Sequence, residues 1–127
     1  MVGAVMAMTA VGCASVTARV DAAAGVAVRM LSAVADRGGG AACSLLAPGT
    51  AAELERSTGK PCAEAIVNAG LPASGSVLAG EVYGQWAQVR LTGDTVFLAV
   101  FDGGWRVVAA GCAGRGDEPY DCVLQRD

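Results

Sequence analysis

The chain has 127 residues, a net charge of −3 and an apolar fraction of 54%. This length indicates a single domain, and an acidic balance without any basic run argues against nucleic acid as a partner. Histidine is absent, which excludes Ser-His-Asp and Cys-His triads as well as imidazole metal sites, so we expect no metal and no cofactor.

The N-terminal segment is apolar and uncharged. Residues 1–12, MVGAVMAMTAVG, are too few to cross a bilayer as a helix, which takes about 20 residues, but they are typical of the apolar region of a secretory signal. Ala10-Val11-Gly12-Cys13 resembles the lipobox of bacterial lipoproteins, in which a small residue precedes an acylated cysteine. The resemblance implies a lipid on Cys13, with residues 13–15 forming the anchor and a short linker.

The signal is incomplete in two respects. Ala10 stands where a lipobox usually has Leu, and no Lys or Arg precedes Arg19. Because a signal normally begins with a basic residue, we expect the true start of the protein to lie upstream of Met1. The alternative is that residues 1–12 extend the first helix of a cytoplasmic protein.

The cysteine count supports export. Setting Cys13 aside leaves an even number, Cys43, Cys62, Cys112 and Cys122. In an exported domain an even set predicts disulfides. Three pairings are open, and we favour Cys43–Cys62 with Cys112–Cys122 because both pairs are local. A zinc site is the alternative, but no Cys-x-x-Cys knuckle is present, and a catalytic cysteine would lack a histidine partner.

The first half of the chain is predicted to be helical. Apolar residues recur at spacings of three and four from Val20 to Val34, which predicts an amphipathic helix over residues 16–37. We expect Gly38-Gly39-Gly40 to end it. Three short helical segments are then predicted: a turn at 43–46, a helix that begins near Pro48 and breaks at Gly59, and a helix over 62–69.

The second half changes to a period of two, which is typical of strands. Strands are predicted over residues 76–83, 85–92, 95–101 and 105–111. Glycine-containing turns join each strand to the next, which predicts a four-stranded antiparallel meander, followed by a polar tail over residues 114–127. Helices first and strands afterwards, without βαβ alternation, predict one α+β domain over residues 16–127.

Several stretches resemble small exported lipoproteins of actinobacteria. They are Cys43-Ser44-Leu45-Leu46-Ala47-Pro48, Leu54-Glu55, Pro61-Cys62-Ala63, Val82-Tyr83-Gly84, Ala87-Gln88-Val89, Gly104-Trp105-Arg106-Val107, Ala110-Gly111-Cys112 and Pro119-Tyr120-Asp121-Cys122. These proteins are similar in layout to the NTF2-like, or cystatin-like, α+β fold. The resemblance covers nearly all of the mature chain and implies a long helix and short helices packed on the sheet. Because no catalytic motif accompanies it, it implies no catalytic residue.

NTF2-like folds often hold a pocket between the helix and the sheet. The residues suited to line or rim one are Tyr83, Trp86, Arg90, Trp105 and Arg106. The two arginines suit a carboxylate or phosphate ligand. The alternative is that Trp105 belongs to the core, that Trp86 caps an exposed sheet face, and that the arginines are solvated. The carboxylates of Glu53, Glu55, Asp117 and Glu118 are interpreted as surface charge.

Three functions are compatible with these features. The leading hypothesis is a noncatalytic binding or interaction domain, held by a lipid at the outer face of the cell membrane, whose partner is an envelope protein or a small ligand. The second is a small NTF2-like enzyme with a carboxylate and a Tyr in its pocket, and a filled interface between helix and sheet would count against it. The third is a structural subunit of an envelope complex, favoured by an exposed apolar patch on the outer sheet face.

Overall fold

The computed structural model describes residues 3–4 and 12–126, with only the backbone described for residues 12–14. The elements in this part of the chain are α1 (Gly12–Ala35), α2 (Gly39–Ser44), α3 (Pro48–Thr58), α4 (Cys62–Val67), β1 (Val77–Tyr83), β2 (Trp86–Leu91), β3 (Thr95–Phe101), β4 (Gly104–Arg115) and β5 (Glu118–Leu124). The strands form one antiparallel sheet in the order β1-β2-β3-β4-β5. The predicted α+β class and meander are therefore confirmed, with one strand more than expected.

The extra strand is β5, which occupies the segment predicted to be a polar tail. It pairs with the far part of β4, which continues to Arg115 instead of ending near residue 111. Along β5 only Leu124 is buried, so the segment has almost no apolar alternation from which a strand could be predicted. The register of β5 against β4 places Cys112 directly opposite Cys122.

The long helix starts earlier than predicted. It begins at Gly12 rather than at residue 16, so the residues expected to form a linker after the anchor, 13–15, are helical. The predicted signal over residues 1–12 lies almost entirely outside the described residues, and so does the side chain of Cys13. Among the described residues, no helix has the length and apolar character needed to span a bilayer.

The glycine run after α1 does not simply end a helix, since Gly39 and Gly40 form the first turn of α2. Gly39 is buried where α2 packs on α4, and a Cβ at this position would lie 1.9 Å from the carbonyl oxygen of Ala63. Both boundaries of α3 were predicted more closely. Pro48 occupies the first turn of α3, and Gly59 ends that helix in the left-handed conformation at φ 68°.

The interface between α1 and the sheet is filled by aliphatic side chains. The most deeply buried ones, each at most 1% exposed, are Ala23, Ala27, Met30 and Leu31 of α1 with Val89, Val96, Leu98 and Val107 of the sheet. Gly80 of β1 allows the close approach of the helix, because a Cβ there would lie 2.7 Å from a methyl group of Val20. The core therefore sits where the sequence resemblance implied a pocket.

Two disulfides reinforce the fold, and their pairing is the one predicted. Cys43–Cys62 joins α2 to α4 with a Cα–Cα distance of 6.2 Å, and Cys112–Cys122 joins β4 to β5. Disulfides of this structural kind are typical of oxidising compartments. They therefore indicate an environment outside the cytoplasm.

A short extended segment covers the edge of β4 that β5 leaves free. The amide of Ala47 donates to the Val107 carbonyl at 2.7 Å, and the Val107 amide donates to the Leu45 carbonyl at 2.8 Å. The buried Thr50 hydroxyl donates to the Val108 carbonyl at 2.8 Å. These bonds satisfy the strand edge and hold the start of α3 against the sheet.

Candidate functional site

The two faces of the sheet have different surroundings. In β2, Ala87 and Val89 are buried towards α1, so the alternating side chains of Trp86 and Arg90 point to the opposite side. We call that opposite side the open face. Its members are Glu81 and Tyr83 of β1, Trp86, Gln88 and Arg90 of β2, Phe97, Ala99 and Phe101 of β3, Arg106 and Val108 of β4, and Tyr120 of β5.

The open face holds five of the six aromatic residues of the chain, although large aromatic side chains usually dominate a core. Tyr83 is 63% exposed, Trp86 50% and Tyr120 39%. The rings of Phe97 and Tyr120 pack edge to face with centroids 5.2 Å apart, and Gln88 Nε2 lies 3.4 Å from the Tyr120 hydroxyl. An exposed apolar surface of this kind is a candidate contact site.

The five residues proposed to line one pocket are divided between the two faces. Trp105 lies on the α1 side, buried and opposite Val100, with the guanidinium of Arg19 5.4 Å from its ring centroid. Tyr83, Trp86, Arg90 and Arg106 all belong to the open face. Neighbouring strand residues point to opposite sides of a sheet, so Trp105 and Arg106 cannot line the same surface, and the filled interface with α1 leaves the other four outside it.

The two arginines are also too far apart to bind one anion together. Arg90 pairs with Thr95 of β3, whereas Arg106 pairs with Ala99. Four residues along β3 and the two-strand spacing from β2 to β4 place them on the order of 15 Å apart. Arg106 is already engaged, because its Nη1 donates to the carbonyl of Ser44.

Two shallow clefts flank the sheet. One, of about 290 Å³, contains Arg106 and is otherwise lined by Leu46, Pro48, Phe101 and Asp102. The other, of about 210 Å³, lies between α3 and β5 and is lined in part by Thr50, Glu53, Ser57, Val123 and Gln125. The first is at the lower limit of the roughly 300–1,000 Å³ of typical small-molecule sites, and the second is below it. The first cleft is lined by Phe101 and Arg106 of the open face, so the open face, with its exposed aromatic rings, is the stronger candidate site.

Among the residues that the structure describes, Asp94 is a buried carboxylate, and it is used for structure. It is 8% exposed, and Oδ1 accepts the amides of Thr95 at 2.7 Å and Cys112 at 2.9 Å, while Oδ2 accepts the Gly111 amide at 2.8 Å. Gly111 has a φ of 67°, a conformation that favours glycine. Asp94 thus ties the β2–β3 turn to β4. The sequence predicted only a glycine-containing turn here, because nothing local reveals an acceptor for amides 17 and 18 residues away.

Glu81 and Tyr83 bring a carboxylate and a phenol together at the edge of the open face. The Tyr83 hydroxyl donates to Glu81 Oε2, and this hydrogen bond together with the negative charge of Glu81 raises the pKa of Tyr83 above its ordinary value of 10.0. Both side chains are exposed. Tyr83 is therefore a neutral hydrogen-bonding phenol on an open surface.

Of the four carboxylates interpreted as surface charge, Asp117 is exposed and the other three have structural partners. Glu53 pairs with Arg56, and Glu118 pairs with Arg115 at 2.7 Å. Glu55 Oε2 accepts the amide of Cys62 at 3.0 Å, which places a negative charge at the start of α4. The residues that the structure describes contain no group of three or more His, Cys, Asp or Glu side chains arranged to hold a metal ion.

Comparison with known proteins adds no relative. No family model matches the chain, and no curated protein and no solved structure matches it significantly. The likeness to small actinobacterial lipoproteins and the NTF2-like layout therefore stay predictions. The evidence for the helices, the five-stranded meander and the disulfides comes from the structure alone.

Proposed function

We propose that this protein is a noncatalytic binding domain on the outer face of a cell membrane, with an NTF2-like framework, anchored through a lipid on Cys13. In this proposal the half of the open face around Arg90, Phe97 and Tyr120 binds a partner protein of the envelope. The observation that carries it is the placement of five of six aromatic residues on the sheet face opposite α1.

The cysteines support the location. Cys43–Cys62 and Cys112–Cys122 use four of the five cysteines, which suits an oxidising compartment. Cys13 is left over, within the first turn of α1 and directly after an uncharged apolar stretch. A lipid there would fix the domain to the membrane by the start of its longest helix.

The composition of the open face supports binding. Partly exposed Tyr, Trp and Phe rings lie among Arg90, Gln88 and Arg106, and aromatic residues with Arg are the types enriched in protein interfaces. The alternative of an enzyme needs a carboxylate directed into a ligand-sized cavity. Asp94 instead accepts three backbone amides, and the Glu81–Tyr83 pair faces solvent, so we favour binding over catalysis.

Site-specific photo-crosslinking tests the binding surface. A photoreactive phenylalanine analogue replaces Arg90 on the open face, or Arg29 on the exposed side of α1 as the matched control. In cells that make the full chain, we expect a discrete adduct with one protein from position 90 and not from position 29. Equal adducts from both positions, or none from position 90, would contradict the proposal.

A further inference from the structure

The start of α1 and the β1–β2 turn lie at the same end of the molecule. Arg19 Nη2 donates to the carbonyl oxygen of Gly84 at 2.5 Å, and the same guanidinium stacks over Trp105 at the start of β4. This single side chain therefore links the first turns of α1 to the tip of the β1–β2 hairpin and to the adjacent end of the sheet.

A lipid on Cys13 would project from the domain at this end. Cys13 precedes Arg19 by six residues, which is about 9 Å along a helix axis. Residues 15–18 of α1 are all exposed, and from residue 15 onwards the first fully buried residue is Ala23. The helix thus extends from the packed core towards the attachment point, and Arg19 holds the hairpin tip beside the part of the helix that leads to that point.

The exposed side chains at this end suit a lipid interface. Tyr83 and Trp86 flank the β1–β2 turn and pair directly across the hairpin, with exposures of 63% and 50%. On the first exposed turn of α1, Val16 is 57% exposed. Tyr and Trp have an apolar ring with a polar group at its edge, which is why they are enriched at membrane–water interfaces.

The charges nearby are balanced. Arg19 and Arg106 are matched by Glu81 and Asp102 at this end of the sheet. Contact with a bilayer would therefore depend on the aromatic rings and not on anionic headgroups, whose attraction requires a cluster of basic residues.

We propose that the hairpin tip, Tyr83–Trp86, rests in the interfacial layer of the membrane to which Cys13 is attached. The domain then sits on the bilayer by this end instead of moving freely on its anchor, and the far half of the open face, around Arg90, points away from the lipid. The inference rests on the proposed function in that it takes Cys13 as the point of attachment. The lipid surface is the occupant because the uncharged N-terminal stretch and the attachment point both join the fold here.

The two tryptophans allow a direct test, since Trp86 is exposed and Trp105 is buried. The disulfides occupy the other cysteines, so the full chain can be coupled through Cys13 to a maleimide-headgroup lipid in phosphatidylcholine vesicles that contain brominated lipid. Subtracting the emission of the Trp86→Phe protein from that of the unaltered protein isolates Trp86, and the Trp105→Phe protein provides a second measurement.

On tethering, we expect Trp86 emission to shift to the blue and to be quenched by the brominated lipid. Quenching of Trp86 by aqueous iodide should fall by at least about half. Trp105 should not change. If Trp86 keeps the iodide accessibility of the lipid-free protein, the proposal is wrong. If Trp86 is already shielded from iodide without lipid, the proposal is also wrong. Shielding that does not depend on protein concentration would mean that the chain's own N-terminal segment covers the hairpin tip. Shielding that increases with protein concentration would mean that a second copy covers it.

A matched pair on β1 separates lipid contact from general effects. Tyr83 and Leu78 are similarly exposed, at 63% and 62%, but lie five residues apart, roughly 17 Å along the strand. Tyr83→Ser should reduce the bromolipid quenching of Trp86 about twofold, whereas Leu78→Ser should leave it unchanged. Equal effects would overturn the proposal. Because the coupling is chemical, docking can be observed whether or not cells acylate Cys13, so the two proposals fail separately.

Discussion

At the residue scale, the carboxylate of Asp94 accepts three backbone amides, two of them from β4. No motif in the sequence predicted these long-range hydrogen bonds. Asp94→Ala would leave the amides of Thr95, Gly111 and Cys112 without their acceptor. Since buried amides that lose a charged acceptor are costly, we expect the free energy of unfolding to fall by about 3 kcal/mol.

Urea denaturation measures this change, with Asp21→Ala on the exposed side of α1 as the control. The control should alter the free energy of unfolding by less than about 0.5 kcal/mol. Equal losses for the two variants would show that Asp94 does not hold the β2–β3 turn to β4.

The phenol of Tyr83 should titrate at higher pH than an isolated tyrosine. Its hydrogen bond to Glu81 and the charge of that carboxylate both disfavour the phenolate, which raises the pKa of Tyr83. Glu81→Gln should therefore move the pKa of Tyr83 down towards 10.0. Ultraviolet absorbance of phenolate against pH, in a Tyr120→Phe background that leaves one tyrosine, measures it. An upward or absent shift would contradict the assigned cause.

At the scale of elements, the contact between α2 and α4 depends on a glycine that the sequence indicated only as a helix stop. Gly39→Ala places a methyl group against the Ala63 carbonyl, whereas a methyl group at Gly40 would have nothing within 4 Å. We expect Gly39→Ala to lower the thermal midpoint clearly, by the equivalent of about 2 kcal/mol. Gly40→Ala should leave it unchanged or raise it slightly, because alanine favours the helix.

Differential scanning calorimetry of these two variants distinguishes the packing contact from helix propensity. If both substitutions behaved alike, the close approach of α2 and α4 would not be a determinant of stability. The comparison is sharp because the two glycines are neighbours in the same helix.

The elements that the sequence predicted well are those with a clear apolar period. The predicted strand over 95–101 matches β3, and Pro48 and Gly59 fix the ends of α3. β5 was missed because its side chains are mostly exposed, and a cross-strand register is not encoded locally. Four of the residues proposed to line a pocket between helix and sheet share the open face instead, and the sequence could not show that the α1 side is filled.

At the scale of the whole molecule, the Cys43–Cys62 bridge joins α2 and α4, two short helices whose buried side chains belong to the core. It closes a segment with a sequence separation of 19, which in the chain-entropy treatment corresponds to about 3 kcal/mol. The double substitution Cys43→Ala with Cys62→Ala should lower the free energy of unfolding by this order, as measured in urea. An unchanged free energy of unfolding would mean that the small helices are held by packing alone.

The molecule as a whole has two functional ends in this view. The hairpin tip and the start of α1 lie together, and the far half of the open face, with Arg90, lies at the opposite end of β2. An anchored domain resting on lipid by the first end would present the second to a partner. Both roles depend on the chain leaving the cytoplasm, and on Cys13 as the attachment point.

Mass spectrometry of the protein recovered from the membrane fraction of producing cells tests that dependence most directly. We expect a chain that begins at Cys13 with a mass increase of two or three acyl chains, and a Cys13→Ser protein that is neither cleaved there nor acylated. A protein that retains the residues before Cys13 and has an unmodified thiol at that position would contradict the proposed function.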